Sequence, residues 1–381
     1  MNRNLFFIAA ALLLWGVGEG MFFNFVPIYL ETEFLLSKQQ IGYILGILGL
    51  FTAIAHIPSG HLSDRFGRRP LIIAAWAIGL FSTGMMWLVN KNLNLYLVGL
   101  YIYAMTSFVS SPLGSYVTAA RGKWDVGTAL ALTTATFSLG MSLGPLMGGW
   151  LGENYGLRSS YLVASAVLAL STVIVLFIKR QPVDKYDPHD PPISLWKNVR
   201  FTNFLMVFTF AMFAMYLAQP LTPNFLEGVR GLTLTETGWI FSIGALGNSL
   251  MAFSFSKSNP RRGFLISQVF VAFFAIIMWK GSGVPVFMLG YFLLGGFRAS
   301  KPLAMAQSRA LVHDSQMGLT YGVLETALSV ILIIAPPIAG YLFERDPYFI
   351  YPLALGLIIL SVIISYLFSP YKIKYKVTAS S

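Results

Sequence analysis

The sequence predicts an all-α integral membrane fold of about twelve transmembrane helices in two parallel six-helix repeats, and three observations carry that prediction. The first is composition: 56% of the residues are hydrophobic and 11% charged, with a mean hydropathy of +0.68. A soluble domain carries about 25% charged residues to wet its surface. The second is the grouping of apolar residues into blocks, among them Leu5–Leu30, Ile41–Ser59, Leu71–Val89, Tyr161–Ile178 and Tyr348–Phe368. Each is near or above the roughly 18–20 residues that cross a hydrocarbon core. The third is an internal repeat, described below.

Taken in chain order, the spans fall at about 5–30, 40–60, 70–90, 94–119, 126–150, 159–179, 202–226, 236–256, 263–280, 284–309, 317–342 and 347–369. Met1–Asn4 ahead of an apolar run imitates a secretory signal. That run is too long, contains Glu19 and lacks a small-residue cleavage site, so it reads as the first span.

The net charge of +11 is not a nucleic-acid signal, because it is sided. With the N-terminus inside, 18 of the 26 Lys and Arg fall in cytoplasmic segments, six on the opposite side (Lys38, Lys91, Arg158, Arg230, Lys280, Arg345) and two, Arg298 and Lys301, within a span. Acidic residues show no such bias. The positive-inside rule then puts both termini in the cytoplasm, as expected for a multi-pass plasma (inner) membrane protein. The excess of cations reports topology and attraction to anionic lipid. No cysteine is present, which excludes disulfides, thiolate metal sites and cysteine nucleophiles. The four histidines, His56, His61, His189 and His313, form no metal-spaced cluster, so neither metal nor cofactor is expected. A polytopic enzyme is disfavoured too, since the loops are short and carry no His/Asp/Ser constellation.

One long polar interruption, Lys179–Asn203 with four prolines, divides the chain. The boundaries read as a six-helix bundle over 1–180, a cytoplasmic linker over 181–201, and a second bundle with a short tail over 202–381. The halves echo each other. Ser37-x4-Gly42-Tyr43-Ile44 parallels Thr233-x4-Gly238-Trp239-Ile240, and Pro27 parallels Pro223, both at an offset of 196. Ser111-Pro112-Leu113 parallels Lys301-Pro302-Leu303, and Pro145-x2-Gly148 parallels Pro337-x2-Gly340. Shared order at similar offsets marks a duplicated six-helix unit.

Between spans two and three stands Gly60-His61-Leu62-Ser63-Asp64-Arg65-Phe66-Gly67-Arg68-Arg69-Pro70. This resembles the loop signature of the major facilitator superfamily, at the position where that family carries it, and the resemblance covers essentially the whole chain. It implies the fold of that family and a secondary transporter working by alternating access, with no enzymatic activity. It also implies that Gly60, Asp64, Arg65, Gly67, Arg68 and Arg69, with Arg121, form a loop that latches the halves together, Asp64 lying near the start of the eleventh helix at Gln316–Gly318. The matching loop of the second half, Ser256–Gly263, keeps basic residues but has no Asp, so such a latch is asymmetric.

The fifth span contains Gly140-x3-Gly144-Pro145-x2-Gly148-Gly149, which resembles a pattern of superfamily exporters that run as antiporters. Small residues one turn apart let membrane helices approach closely, and Pro145 bends the helix. The Arg that proton-coupled exporters of this kind carry in the fourth helix is absent here, and Tyr101 or Tyr103 occupies that region.

Ionisable residues at membrane depth are costly and therefore candidate functional groups. Glu19, Arg298, Lys301 and Glu325 qualify. Low-dielectric surroundings favour the protonated form of a carboxyl group, so Glu19 is the first candidate for proton coupling and Glu325 the second. An alternative is that Glu19 pairs statically with Arg298 or Lys301. In the family the first, fourth, seventh and tenth spans line a central cavity. That implies substrate contacts from Trp15, Asn24, Tyr101, Tyr103, Tyr216, Gln219, Arg298 and Lys301. The expected partners are a small-molecule substrate, protons and membrane lipid, with no nucleic acid, and the fold can work as a monomer. Proton-coupled export of a small or drug-like molecule is the first expectation. A symporter or facilitator for an anionic metabolite or sugar, resting on Arg298 and Lys301, is the alternative.

Overall fold

The computed structural model describes residues 3–56, 62–63, 66–89, 91–124, 126–180, 198–256, 259–312 and 317–369. Among them there is no strand, and the chain forms twelve membrane-length helical units. In the first half these are α1 (Arg3–Phe34), α2 (Lys38–His56), α3 (Arg68–Leu88), α4 (Leu93–Ala120), α5 (Val126–Tyr155) and α6 (Leu157–Leu176). In the second they are α7 (Val199–Tyr216), α8 (Leu234–Ser256), α9 (Pro260–Lys280), α10 (Val284–Ser308), α11 (Met317–Arg345) and α12 (Ile350–Phe368). Eleven are long and apolar enough to cross a bilayer. The remaining one, α10, has 25 residues, but Arg298 and Lys301 lower its mean hydropathy.

Local chemistry sets the helix starts. Asn92 caps α4 and Asn198 caps α7, each side chain accepting from the backbone N–H three residues on at 3.2 Å. Pro260 fits the first turn of α9, where no intrahelical partner is needed for its nitrogen, and Asn259 caps it. The Asn198 cap starts α7 at Val199, so residues 199–201 are helical rather than linker. Residues 181–197 of the expected linker lie outside the described residues.

Proline interrupts three spans. α1 passes through a 3-10 turn at Phe23–Phe25 just before Pro27, and α4 through one at Thr106–Val109 just before Pro112. The seventh span is not continuous over 202–226 as its composition predicts. α7 ends at Tyr216, and a short helix Thr222–Asn224 leading into a π turn, Phe225–Val229, follows. Pro220 and Pro223 remove the backbone donors that would continue the ladder. The kinks of α1 and α7 thus occupy equivalent places in the two repeats.

Within the first half α1 packs on α5 and α6, and α3 on α6; within the second α10 packs on α8 and α9, and α12 on α7 and α9. The halves meet through α2 against α11 and α5 against α8. The helices turn large apolar side chains outward, including Leu88, Phe253, Ile363 and Tyr366. That is the arrangement lipid requires, with every helix satisfying its own backbone bonds.

The joints between halves sit at the helix ends away from the chain termini. Backbones touch there: a Cβ at Gly42 would lie 2.4 Å from the Pro336 carbonyl oxygen, and one at Gly238 2.4 Å from that of Pro145. Asn224 donates to the Pro27 carbonyl at 2.9 Å and to Glu31 Oε2 at 2.6 Å, while Glu31 pairs with Lys38. Ser142 Oγ donates to the Ser242 carbonyl at 3.0 Å.

Candidate functional site

Glu19 lies on the inner face of α1, one turn beyond Trp15, and its carboxylate is held on one oxygen. Trp15 Nε1 donates to Glu19 Oε2 at 2.8 Å, and the Tyr103 hydroxyl of α4 donates to the same atom at 3.0 Å. Four positions apart on a helix puts Trp15 and Glu19 on one face, which explains the first bond. Folding supplies the second. No hydrogen bond to Oε1 is found among the described residues.

An aromatic wall fixes these donors. Trp15 stacks on Tyr103 with ring centroids 6.1 Å apart and packs against Trp76 of α3 at 4.8 Å. Phe22 meets the Tyr103 ring edge to face at 5.1 Å. The Trp15 ring lies over Gly79 of α3, where a Cβ would be 2.3 Å from Trp15 Cη2. Trp76 is itself anchored, donating from Nε1 to Ser171 Oγ at 2.8 Å, while Ser171 donates to the Ala11 carbonyl at 2.7 Å. Trp76, Gly79 and Ser171 have no mark in the sequence that points to this wall. A lone Trp or Ser in an apolar span carries no signal until its neighbours are known.

The other cavity candidates occupy separate positions. Tyr101, two residues from Tyr103 and so on another face of α4, stacks on Phe51 of α2 at 4.9 Å and does not reach Glu19. In the second half Tyr216 stacks on Phe297 of α10 at 5.5 Å. Gln219 turns back to donate to the Met215 carbonyl at 2.8 Å. Asn24 lies half-buried in the 3-10 turn of α1. Arg298 is exposed, with no hydrogen bond or ion pair among the described residues.

Static pairing of Glu19 with Lys301 is not what the structure has. Lys301 Nζ instead meets Glu325 Oε1 of α11 at 2.5 Å, within the second half. Both side chains are more than 40% exposed, and an ion pair that open to solvent contributes little, about 0–1 kcal/mol. Glu325→Gln is accordingly expected to shift the melting temperature of the purified protein by no more than a degree or two. A larger drop, read by tryptophan fluorescence on heating, would mean that the pair is shielded in the membrane.

Of the loop between α2 and α3, Gly60, Asp64 and Arg65 lie outside the described residues, as does Gln316. Gly67 adopts φ +82°, the left-handed region that favours glycine, immediately before α3. Arg69 Nε donates to the Ile178 carbonyl at 2.7 Å and Nη2 to that of Leu176 at 3.1 Å, pinning α3 to the end of α6, where free carbonyls attract a cation. Arg121 donates to the Thr118 carbonyl at 2.6 Å.

The fifth-helix glycines form an interlock with α1. Cβ atoms at Gly140, Gly144 and Gly148 would lie 2.2, 2.4 and 2.0 Å from the carbonyl oxygens of Leu13, Val17 and Met21. Both series advance by four residues. Gly149 faces the other way, against the Leu234 carbonyl of α8 at 2.4 Å from a built Cβ. One stretch of α5 therefore both packs the helix bearing Glu19 and meets the opposite half.

Comparison with known proteins bears on the family and the fold. Residues 8–259 match the family model described as Major Facilitator Superfamily. An uncharacterized MFS-type transporter of Methanocaldococcus jannaschii is 26% identical over 48% of this chain and 47% of its own length, so the match spans about half of that relative. Multidrug resistance protein MdtG of Proteus mirabilis is 26% identical over 91% of this chain and 85% of its own length. Among solved structures, nucleoside transporter NupG superposes with a TM-score of 0.80 at 15% identity, covering 98% of this chain and 100% of that one. That likeness is one of fold.

Proposed function

The chain belongs to the Major Facilitator Superfamily, and from that premise we propose that it is a proton-coupled exporter of a small, drug-like molecule. It acts by alternating access, the halves 1–180 and 202–381 rocking about a site between them. The observation that carries the reading is the Glu19 carboxylate, set at membrane depth in α1 and held on one oxygen by Trp15 and Tyr103. It is a titratable group inside an aromatic wall, free to exchange a proton at its other oxygen. Glu325 is engaged by Lys301, which favours Glu19 as the carrier.

Further support comes from the likeness to a protein named for multidrug resistance and from the glycine pattern of α5. With both termini cytoplasmic, as the sided cations argue, the joints between halves lie on the outer side. That is the arrangement of an inward-facing state.

A second reading, an anion symporter or facilitator, rests on the exposed Arg298 of α10. Everted vesicles with an imposed ΔpH, acid inside, separate the two. Under the exporter reading, one class from a panel of lipophilic cations, sugars and organic anions collapses the gradient on addition. If none moves protons, while labelled anions equilibrate in native vesicles but not with Arg298→Ala, the anion reading replaces it.

A further inference from the structure

Every helix begins with backbone N–H groups that have no intrahelical partner, and α2 and α8 treat theirs alike. At α2, Gln40 N donates to Ser37 Oγ at 3.3 Å and Ser37 N donates to Gln40 Oε1 at 2.9 Å. At α8, Glu236 N donates to Thr233 Oγ1 at 3.2 Å and Thr233 N donates to Glu236 Oε2 at 2.9 Å. Both are capping boxes, at equivalent places in the two repeats. A capping box leaves the intervening N–H groups of the first turn without a partner, and each helix has one of them filled from the opposite half. Gln39 N donates to Glu344 Oε1, at the end of α11, at 3.0 Å. Thr235 N donates to Glu153 Oε2, at the end of α5, also at 3.0 Å.

The arrangement is two-fold in character. The last turn of α11 caps α2 and the last turn of α5 caps α8. Below each cap the backbones touch: a Cβ at Gly340 would lie 2.5 Å from the Lys38 carbonyl oxygen, and one at Gly149 2.4 Å from that of Leu234. A helix N-terminus carries partial positive charge, so a carboxylate seated there is attracted by the dipole as well as by its hydrogen bonds. Each bond also crosses the plane along which the halves must separate for the outer side to open.

We infer that Glu153 and Glu344 are a paired electrostatic clamp that holds the outer side shut and sets the balance between inward- and outward-facing states. This rests on the alternating-access reading, but it requires neither the substrate nor Glu19.

The chain has no cysteine, so a single introduced one is a clean reporter. Ser242, 4% exposed and bonded to Ser142 across the α5–α8 joint, reports opening of the outer side as Ser242→Cys. Ser110, exposed on α4 toward the terminal side, reports the other side as Ser110→Cys. Labelling with a membrane-impermeant maleimide is measured in right-side-out vesicles for the first and everted vesicles for the second. Glu153→Gln with Glu344→Gln is expected to raise labelling at 242 by about 3- to 30-fold, the size of two exposed helix-terminus charge interactions. Labelling at 110 should fall, and each single substitution should give a smaller rise. Glu33→Gln, an exposed carboxylate at the same end, should change neither.

Unfolding would raise labelling at both reporters, so a rise at both overturns the clamp. An unchanged rate at 242 in the double variant, or an equal rise with Glu33→Gln, also overturns it. If an imposed ΔpH moves the two native reporters in opposite directions while the double variant matches native, alternation stands and the clamp alone fails. If ΔpH moves neither native reporter, it is the alternating-access reading that fails.

Discussion

Glu19→Gln is expected to reduce substrate-driven proton movement in everted vesicles to the level of vesicles without the protein, while leaving the fold intact. The amide has nearly the shape of the carboxylate, and its oxygen can accept from both Trp15 Nε1 and Tyr103 OH, which converge on a single oxygen in the native site. Hydrogen bonds to a neutral acceptor are weaker than those to a charged one by about 1 kcal/mol each. Burying a neutral group rather than an anion offsets that loss. Thermal stability should therefore change little, whereas the proton-carrying function, which needs a titratable group, is removed.

Glu19→Asp makes a useful comparison. It keeps the titratable group but draws it back by one methylene from two donors already at 2.8 and 3.0 Å. Partial activity is expected, recovering toward native if a substrate re-seats the shortened side chain. Native proton movement in Glu19→Gln would sink the assignment and pass it to Glu325.

How much of this was legible in the sequence depends on how far apart in the chain the relevant atoms lie. Span positions follow from local composition, and all but the seventh, which breaks after Tyr216, are close to where composition puts them. The repeat is also local information read twice, and the matched Pro27 and Pro223 mark two real interruptions. Glu19 stands out because a lone carboxylate in an apolar run is expensive wherever it points. Its neighbour Trp15 is one helical turn away and follows from spacing. Tyr103 was a candidate by position in the fourth span, but nothing separated its role from that of Tyr101, whose ring turns to Phe51 instead. Trp76 and Gly79, which shape the wall, required knowledge of which face of α3 meets α1. Lys301 and Glu325 sit on different helices, so their ion pair follows only from the packing of α10 on α11. Glu153 and Glu344 lie at span ends, where charge is unremarkable, and only the three-dimensional pairing of α5 with α8 and of α11 with α2 gives them a role.

Gly148→Ala is expected to cause the largest loss of stability among single small substitutions in the first half, and Gly84→Ala the opposite. In an open helix interior, Ala is favoured over Gly by about 1 kcal/mol. At Gly84 nothing lies within 4 Å of a built Cβ, so the alanine variant should melt at the native temperature or slightly above. At Gly148 the same methyl group would stand 2.0 Å from the Met21 carbonyl oxygen and 2.7 Å from Met21 Cα. Those are backbone atoms of α1 and cannot rotate away as a side-chain tip would. The helices must separate instead, and overpacking in a close-packed interior typically costs about 1–3 kcal/mol, occasionally more. With Gly140 and Gly144 in the same contact, a shift at one site opens the others, which places Gly148→Ala at or above the upper end. The displacement also passes along α1 to Glu19, two residues before Met21, so transport should fall together with the melting temperature. A Gly148→Ala variant as stable as Gly84→Ala would show that α1 and α5 are not held at this distance in the membrane.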